Sequence, residues 1–277
     1  MSVVLDSSLS NSSDRSCVPR YRLWSIDIDP LTMNEAVSRI SGWVNSGARD
    51  CKWVVTPNVD HVVQLHRNPV LLPIYRDANL TLADGWPLVT MSRLYSKPLP
   101  ERVPGSDLLP SVCDEFQSRS TPLRLFLLGG MPGVPERAAE NIHQNWSHVR
   151  VVGTASPKPG FERDQQFNQE LCGQINDSQP DIIVVGLGFP KQERWLAMHQ
   201  SSLDVPVAVG VGATIDFLAG EQTRAPKWVQ AIKMEWFFRM ITNPRRLAAR
   251  YAIDAAFFPW ICWKHRASAS VTASDDI

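Results

Sequence analysis

The sequence has 277 residues, of which 44% are hydrophobic, and its equal numbers of basic and acidic residues leave no net charge. A chain of this length and composition can bury a large core, which argues against a mostly disordered protein. The five cysteines are odd in number and form no C-x-x-C pair, which argues against both a disulfide framework and a zinc site. No basic segment leads into a long apolar stretch near the start, so a cytoplasmic protein is expected.

Four regions are predicted along the chain. Residues 1–20 and 267–277 are rich in Ser and Asp and are expected to be disordered tails. Residues 21–222 are predicted to form a Rossmann-like α/β domain, in which helices flank a mainly parallel sheet. Residues 223–266 are predicted to form a helical appendage that is rich in basic and aromatic side chains.

Short apolar, β-branched runs alternate with longer amphipathic segments, which is typical of an α/β fold with a parallel sheet. The apolar runs do not alternate with polar residues, so the strands should be buried on both faces. Thr32 should cap the first helix. The expected strands are 52–58, 123–130, 149–155, 181–188 and 205–212, and the expected helices are 33–46, 88–95, 134–146 and 191–202.

Polar residues stand at the ends of two apolar runs. Asn58 either caps the helix that follows the first of these strands or points with Thr56 into a ligand cleft. Asp84 stands directly before Gly85, where the other run stops. A lone buried carboxylate is costly unless it is paired or used, so Asp84 either caps the helix at 88–95 or has a function.

Three predicted strands end in glycine-bearing turns, at residues 129–133, 186–188 and 210–212. Such glycines either permit tight connections or let the backbone approach a phosphate at the carboxyl edge of the sheet. The convergence of three turns favours a phosphate-bearing ligand, such as a nucleotide, near Gly129, Gly130 and Gly188. The dinucleotide pattern G-x-G-x-x-G is absent, which disfavours an oxidoreductase, and no P-loop occurs.

Two further polar clusters suit phosphate or sugar hydroxyls. Arg102 lies in the proline-rich segment 98–110, and Gln192 lies in the first turn of the helix predicted at 191–202. Near the carboxyl end, residues 224–266 hold nine basic and two acidic residues, a net charge of +7. This segment is therefore a candidate for binding anions or a membrane.

The end of that segment is also aromatic. Its apolar run 251–263 is interrupted by Asp254 and Pro259 and is too short to cross a bilayer. An apolar stripe at three-to-four spacing predicts an amphipathic helix, which either lies on an anionic membrane or packs on the core. No nucleic-acid motif accompanies the basic charge. The stripe consists of Leu247, Tyr251, Ala255, Phe258 and Cys262.

Seven segments follow each other in the order and spacing of one family across residues 21–251. They make the chain resemble the WecG/TagA/CpsF glycosyltransferase family, glycosyltransferase family 26. The segments are "TPNVDH" (56–61), "ADGWPLV" (83–89), "PLPERVPGSDL" (98–108), "FLLGGMPGVPERAAENI" (126–142), "PDIIVVGLGFPKQERW" (180–195), "VGVGATIDFLAG" (209–220) and "RAPKWVQ...MEWFFRMITNPRRLAARY" (224–251).

The resemblance implies an inverting hexosyltransferase of bacterial surface or exopolysaccharide synthesis. Its donor would be a UDP-sugar of the N-acetylmannosamine type or UDP-glucose, and its acceptor a polyprenyl-diphosphate-linked saccharide. The enzyme would lie peripherally on the inner face of the plasma membrane and could form homo-oligomers. It would need no cofactor, and the alternatives are a non-catalytic nucleotide-binding module or, less favoured, an NAD-dependent oxidoreductase.

The resemblance also assigns residues. It implies that Asp84 is the general base, because an inverting transfer needs one base for the acceptor hydroxyl and cations for the departing UDP. Many nucleotide-sugar enzymes hold a metal with a D-x-D triplet. Here Asp27 and Asp29 belong to a segment predicted as an N-terminal strand that turns through Pro30 into a helix, which favours a structural role and metal-independent chemistry. The implied substrate-binding residues are Thr56, Asn58, Arg102, Gln192, Asp216 near the nucleoside, and Arg239, Arg246 and either Arg245 or Arg250 over the diphosphate.

Overall fold

The computed structural model describes residues 19–222, 225–226, 229, 234–242 and 244–266. Apart from residues 19–20, the tails predicted at the two ends lie outside the described residues. The strands are β1 (Tyr21–Leu23), β2 (Ile26–Ile28), β3 (Lys52–Val55), β4 (Leu80–Thr81), β5 (Leu123–Gly129), β6 (Val149–Ala155), β7 (Ile182–Gly186) and β8 (Val207–Gly210).

Helices connect these strands, and every helix predicted from the sequence is present. Among the described residues, short 3-10 turns lie in four of the connections, at Pro69–Leu71, Arg93–Tyr95, Phe161–Arg163 and Gln200–Ser202. The helices are α1 (Met33–Asn45), α2 (Val59–Arg67), α3 (Leu72–Asp77), α4 (Trp86–Ser92), α5 (Gly105–Ser118), α6 (Val134–Asn145), α7 (Gln165–Asp177), α8 (Lys191–His199), α9 (Thr214–Leu218), α10 (Glu235–Thr242) and α11 (Pro244–His265).

The main sheet of the described chain is six-stranded and parallel, with the order β4-β3-β8-β7-β5-β6. Helices cover it, so the Rossmann-like α/β fold predicted from the sequence is confirmed. Because all six strands are parallel, their carboxyl ends meet at one edge. The polar and glycine-bearing segments singled out in the sequence follow β3, β4, β5, β7 and β8 at that edge.

The central strands are buried on both faces, as predicted. Along β5, Leu125 and Leu127 pack in the core on one side of the sheet, whereas Phe126 and Leu128 pack on the other. The edge strand β6 differs, since its residues after Val149 are partly or fully exposed. The prediction that β6 is buried on both faces, which was based on its lack of alternating polar residues, is therefore wrong. The cysteines in the described chain are all buried and unbonded, at Cys51, Cys113, Cys172 and Cys262.

The N-terminal segment forms a separate antiparallel hairpin, β1–β2, where one strand was predicted. Asp29 follows it, ion-pairs with Arg20 at 3.0 Å, and accepts a hydrogen bond from the backbone N–H of Thr81 in β4 at 2.7 Å. Asp27 ion-pairs with Arg22 at 2.8 Å. The D-x-D triplet thus ties the hairpin to the main sheet, which supports its structural interpretation.

The first helix begins as predicted. The Thr32 hydroxyl accepts a hydrogen bond from the backbone N–H of Glu35 at 3.3 Å, and the Glu35 carboxylate accepts one from the backbone N–H of Thr32 at 2.7 Å. This reciprocal capping box fixes the start of α1. The segment 98–110 is helical from Gly105 onward, so its proline-rich loop is shorter than predicted.

Helix α11 continues through Pro259 as a single helix, in agreement with the amphipathic helix predicted across this segment. The sequence left open whether the apolar stripe lies on a membrane or packs on the core. Phe258 and Cys262 are buried, and Phe258 packs against Trp24 with ring centroids 5.6 Å apart, whereas Ala255 of the same stripe is exposed. The opposite side of α11 exposes Phe257, Trp260 and Trp263. No helix among the described residues combines the length and apolar content needed to cross a membrane.

Candidate active site

The glycine turns lie against one another at the carboxyl edge of the sheet. Gly129 at the end of β5 pairs in register with Gly186 of β7, and a Cβ on Gly129 would come within 2.5 Å of the Gly186 carbonyl oxygen. A Cβ on Gly186 would come within 2.9 Å of the Gly212 carbonyl oxygen. Glycine is therefore required where these three turns contact each other.

Asp84 lies just beyond β4, at the same carboxyl edge of the sheet. Its backbone N–H donates to the carbonyl of Pro57 at 2.9 Å, and the preceding carbonyl, of Ala83, accepts from the N–H of Val103 at 2.8 Å. Helix α4 begins after Gly85, and no side chain caps it. The structure therefore does not use the Asp84 carboxylate as a helix cap, which was the alternative left open by the sequence.

Charged side chains from distant segments surround Asp84. Arg102 ion-pairs with Glu235 of α10 at 2.9 Å and with Asp107 of α5 at 3.4 Å. Burial raises the pKa of Asp84 to about 6, although Arg102 and Arg239 favour the ionised form; Glu235 and Asp107 raise the pKa further. A carboxyl group with this pKa can accept a proton near neutral pH.

Hydrogen bonds also fix the side chains of Thr56, Asn58 and Gln192 at the carboxyl edge of the sheet. The Thr56 hydroxyl is buried and donates to the Gly210 carbonyl of β8 at 3.4 Å. The Asn58 side chain accepts from the backbone N–H of His61 at 3.3 Å, so Asn58 does cap α2. Gln192 is 3% exposed, and its side-chain oxygen accepts from the N–H of Gly212 at 3.2 Å. Thr56 and Gln192 therefore both contact the turn after β8.

The predicted glycine positions have different local roles. Gly130 has φ +79° and Gly188 has φ +76°, both in the left-handed region that favours glycine. A Cβ at Gly188 would meet nothing within 4 Å, so its surroundings are open. The Gly188 carbonyl accepts from the backbone N–H groups of Lys191 and Gln192, at the start of α8. Gly129, by contrast, is needed for the packing of the turns.

The remaining predicted residues are divided between the edge and the appendage. Asp216 lies in the first turn of α9 and accepts from the side chain of Gln222 at 2.9 Å. Arg239 of α10 lies over the ring of Phe217, 5.2 Å from its centroid, on the same side as Asp84. Arg250 is on α11 and ion-pairs with Asp60 of α2 at 3.4 Å. The side chains of Arg245 and Arg246 lie outside the described residues.

Comparison with known proteins agrees with this arrangement. The model of the glycosyl transferase WecG/TagA/CpsF family matches residues 21–271 of the chain. The chain belongs to this family. A protein of Bacillus spizizenii named N-acetylglucosaminyldiphosphoundecaprenol N-acetyl-beta-D-mannosaminyltransferase is 30% identical over 202 residues, which are 73% of this chain and 74% of that protein. A Staphylococcus aureus (strain NCTC 8325 / PS 47) protein of the same name is 26% identical over 238 residues, 84% of this chain and 89% of that protein.

As a member of the WecG/TagA/CpsF family, the chain is a glycosyltransferase. Sequence reasoning missed residues that complete its candidate site. Glu235 had been counted only as one of two acids in the basic segment, yet it pairs with Arg102 at a separation of 133 residues. Glu193 is almost fully buried, accepts from the Gln192 amide at 2.9 Å, and burial raises its pKa to about 7. In the sequence, only the position of Glu193 directly after Gln192 indicated that it could belong to the site.

Proposed function

We propose that the protein transfers a hexose from a UDP-sugar to a polyprenyl-diphosphate-linked saccharide with inversion of configuration, and that Asp84 is the general base. The observation that carries this proposal is the Asp84 carboxyl group, held beyond β4 with a pKa of about 6 and flanked by Arg102 and Arg239. An acid that is ionised at neutral pH beside cations has the chemistry that an inverting transfer needs.

The proposed reaction has one chemical step. An acceptor hydroxyl attacks the anomeric carbon, a new glycosidic bond forms, and the bond to UDP breaks with inversion. Asp84 takes the hydroxyl proton, while the electron pair of the broken bond leaves with UDP. Arg239, with Arg246 and Arg250 of α11 as further candidates, stabilises the negative charge that develops on the diphosphate. Arg102 has a positioning role, because its ion pairs with Asp107 of α5 and Glu235 of α10 fix α10 beside Asp84.

The donor nucleotide would lie on the glycine turns. Thr56, Asn58 and Gln192 line the edge beside them, and Asp216 lies at the start of α9. Backbone N–H groups at open glycine turns and at helix starts suit a diphosphate. The surroundings of Gly188 are open enough for such an approach. The proposed chemistry uses carboxylate and arginine side chains alone, with no metal and no cofactor besides the donor.

The acceptor and the location follow the same proposal. The two relatives are named for transfer to N-acetylglucosaminyldiphosphoundecaprenol, so a lipid-linked N-acetylglucosamine is the first acceptor to test and lipid-linked glucose the second. Such lipids reside in a membrane. The exposed aromatic side of α11, with Lys264 over the ring of Trp260 at 5.2 Å, suits peripheral binding to an anionic inner leaflet.

A panel assay tests the proposed function. The purified protein is incubated with UDP-N-acetylmannosamine, UDP-glucose and other UDP-hexoses, each with prenyl-diphosphate-linked N-acetylglucosamine or glucose. UDP release is measured, and the anomeric configuration of the product is determined by NMR. We expect acceptor-dependent UDP release with an inverted product. Absence of acceptor-dependent release with every pair would contradict the proposal, and a product of retained configuration would contradict its single-step mechanism.

A further inference from the structure

A buried carboxyl group at the start of α8 has no part in the chemistry proposed above. Glu193 is almost fully buried. Among the described residues, hydrogen bonds from the Gln192 amide and from its own backbone favour its ionised form, and no cation contributes. The first turn of a helix favours an acidic residue, but this does not explain why the residue is buried. Because a lone buried carboxylate is costly, its burial indicates a further role.

Two hydrogen bonds fix the orientation of the Gln192 amide. The backbone N–H of Gly212 donates to the amide oxygen at 3.2 Å, and the amide nitrogen donates to the Glu193 carboxylate at 2.9 Å. The reverse orientation would place two N–H donors against each other at Gly212 and an amide oxygen against the carboxylate. Glu193 and Gly212 therefore favour the same orientation, in which the amide joins the start of α8 to the turn after β8.

The Gln192 amide also lies against the last residue of β8. A Cβ on Gly210 would be 3.1 Å from the amide nitrogen, so the lack of a side chain at this position leaves room for the amide. The Gly210 carbonyl accepts from the hydroxyl of Thr56, which follows β3. The Gly212 carbonyl lies close to Gly186, where a Cβ would come within 2.9 Å of it. The turn held by Gln192 thus contacts both the end of β3 and the turn after β7.

Uncharged rings join the start of α8 to α2 and α3. The Phe189 ring stacks on His61 of α2 with centroids 4.4 Å apart, and the His61 Nδ1 atom is 3.2 Å from the hydroxyl of Tyr75 in α3. Burial lowers the pKa of His61 to about 3, so its ring is neutral. Burial, together with the negative charges of Glu193 and Asp60, raises the pKa of Tyr75, so its hydroxyl stays protonated. The side-chain partner of Glu193 is instead the neighbouring amide.

The two oxygens of the Glu193 carboxyl group have different surroundings. One accepts from Gln192, and the other has no hydrogen-bond partner within the described chain. Because burial raises the pKa of Glu193 to about 7, the group carries a proton part of the time near neutral pH, and the second oxygen can hold it. The first oxygen accepts from Gln192 in both states. Glu193 therefore supplies a hydrogen-bond acceptor, with or without its charge.

We propose that Glu193 is a positioning residue for the donor: it fixes the Gln192 amide, and the amide fixes the turn at residues 210–212, beside which the diphosphate would lie. This inference rests on the proposed function and extends it from the residues that line the donor site to a residue behind them. Glu193 itself does not contact the donor. Its effect passes through Gln192 and concerns the donor and not the acceptor.

Calorimetric titration with UDP, and kinetics with separate titration of the two substrates, test the proposal. Glu193→Met removes the acceptor oxygen, so it should weaken UDP binding and raise the donor KM about fivefold to tenfold, the effect of one buried hydrogen bond, with the acceptor KM unchanged. Glu193→Gln keeps an oxygen acceptor without the charge and should stay within about twofold of the wild type. Glu170→Met is the matched control, because Glu170 accepts from Gln166 at 3.0 Å on the exposed side of α7.

A double variant distinguishes positioning from an independent effect. Because Glu193 acts through Gln192, Glu193→Met/Gln192→Met should bind UDP no more weakly than Gln192→Met alone. Effects that multiply in the double variant would overturn the proposal, and so would wild-type UDP affinity in Glu193→Met or an equal loss in Glu193→Gln. UDP binding requires no turnover, so a wild-type protein that binds UDP but releases none from any donor with any acceptor contradicts only the proposed function. A wild-type protein that binds no UDP would contradict both.

Discussion

Replacing Asp84 by Asn should lower activity and raise stability at the same time. Burial raises the pKa of Asp84 from 3.8 to about 6, so ionising this group at neutral pH costs the folded protein free energy that the unfolded chain does not lose. A shift of about two pKa units corresponds to about 3 kcal/mol at most, at roughly 1.4 kcal/mol per unit. An amide at position 84 removes this cost and removes the base.

The sign of the effect sets the pH window. The carboxyl group favours folding while it is protonated, and this contribution is lost as the pH rises from about 4 toward the folded-state pKa of about 6. Relative to the wild type, the free energy of unfolding of Asp84→Asn should therefore gain up to about 3 kcal/mol between pH 4 and pH 7. Urea unfolding at pH 4, 5, 6 and 7 measures this difference.

Turnover gives the complementary measurement. Loss of a general base is expected to reduce kcat by about 10²–10⁴-fold, while UDP affinity is retained. The wild-type kcat/KM should decrease as the pH drops below about 6, the pKa of Asp84, because the protonated carboxyl group can no longer act as a base. The reasoning is refuted if the variant is less stable than the wild type at pH 7, or if it turns over at the wild-type rate. A stability difference that does not vary with pH would show that burial of the charge is not its cause.

Two further predictions concern the membrane and metals. The double variant Trp260→Ser/Trp263→Ser should bind vesicles that contain anionic lipid about tenfold more weakly, because two exposed aromatic side chains no longer enter the membrane interface. Met198→Ser is the control. Equal binding of the wild type, the double variant and the control in a sedimentation assay would contradict the predicted membrane-binding surface. Activity should persist in EDTA, since Asp27 and Asp29 are paired with arginines, and a complete loss that Mg²⁺ or Mn²⁺ restores would disprove metal-independent chemistry.

Local patterns predicted the sheet well. The buried runs that became β3, β5, β7 and β8 are continuous in sequence, and the capping box at Thr32 and Glu35 lies within four residues. Such features depend on neighbours along the chain, which a sequence displays directly. The strand β6 was also found, but its exposure was not, because position at the edge of a sheet depends on the order of strands.

The candidate site was predictable only in part. Asp84 and Gln192 stood out because each is polar in an apolar or glycine-rich context. The Glu235 partner of Arg102 did not, because the two residues are brought together by the path of α10 over the sheet. The surroundings of the α11 stripe were left open for a similar reason. Its apolar stripe at Phe258 and Cys262 signals burial, and the spacing of residues cannot say whether a protein core or a membrane provides it.

The contact of Trp24 with Phe258 has a consequence for the synthesis of the protein. Trp24 lies near the beginning of the described chain, and Tyr95 donates its hydroxyl to the Cys262 carbonyl at 2.6 Å, so both early residues depend on the far end of α11. During translation the sheet can assemble first, but this apolar surface stays uncovered until α11 has left the ribosome. Arg250 belongs to the same helix. A nascent chain therefore cannot complete its candidate site before α11 has been made.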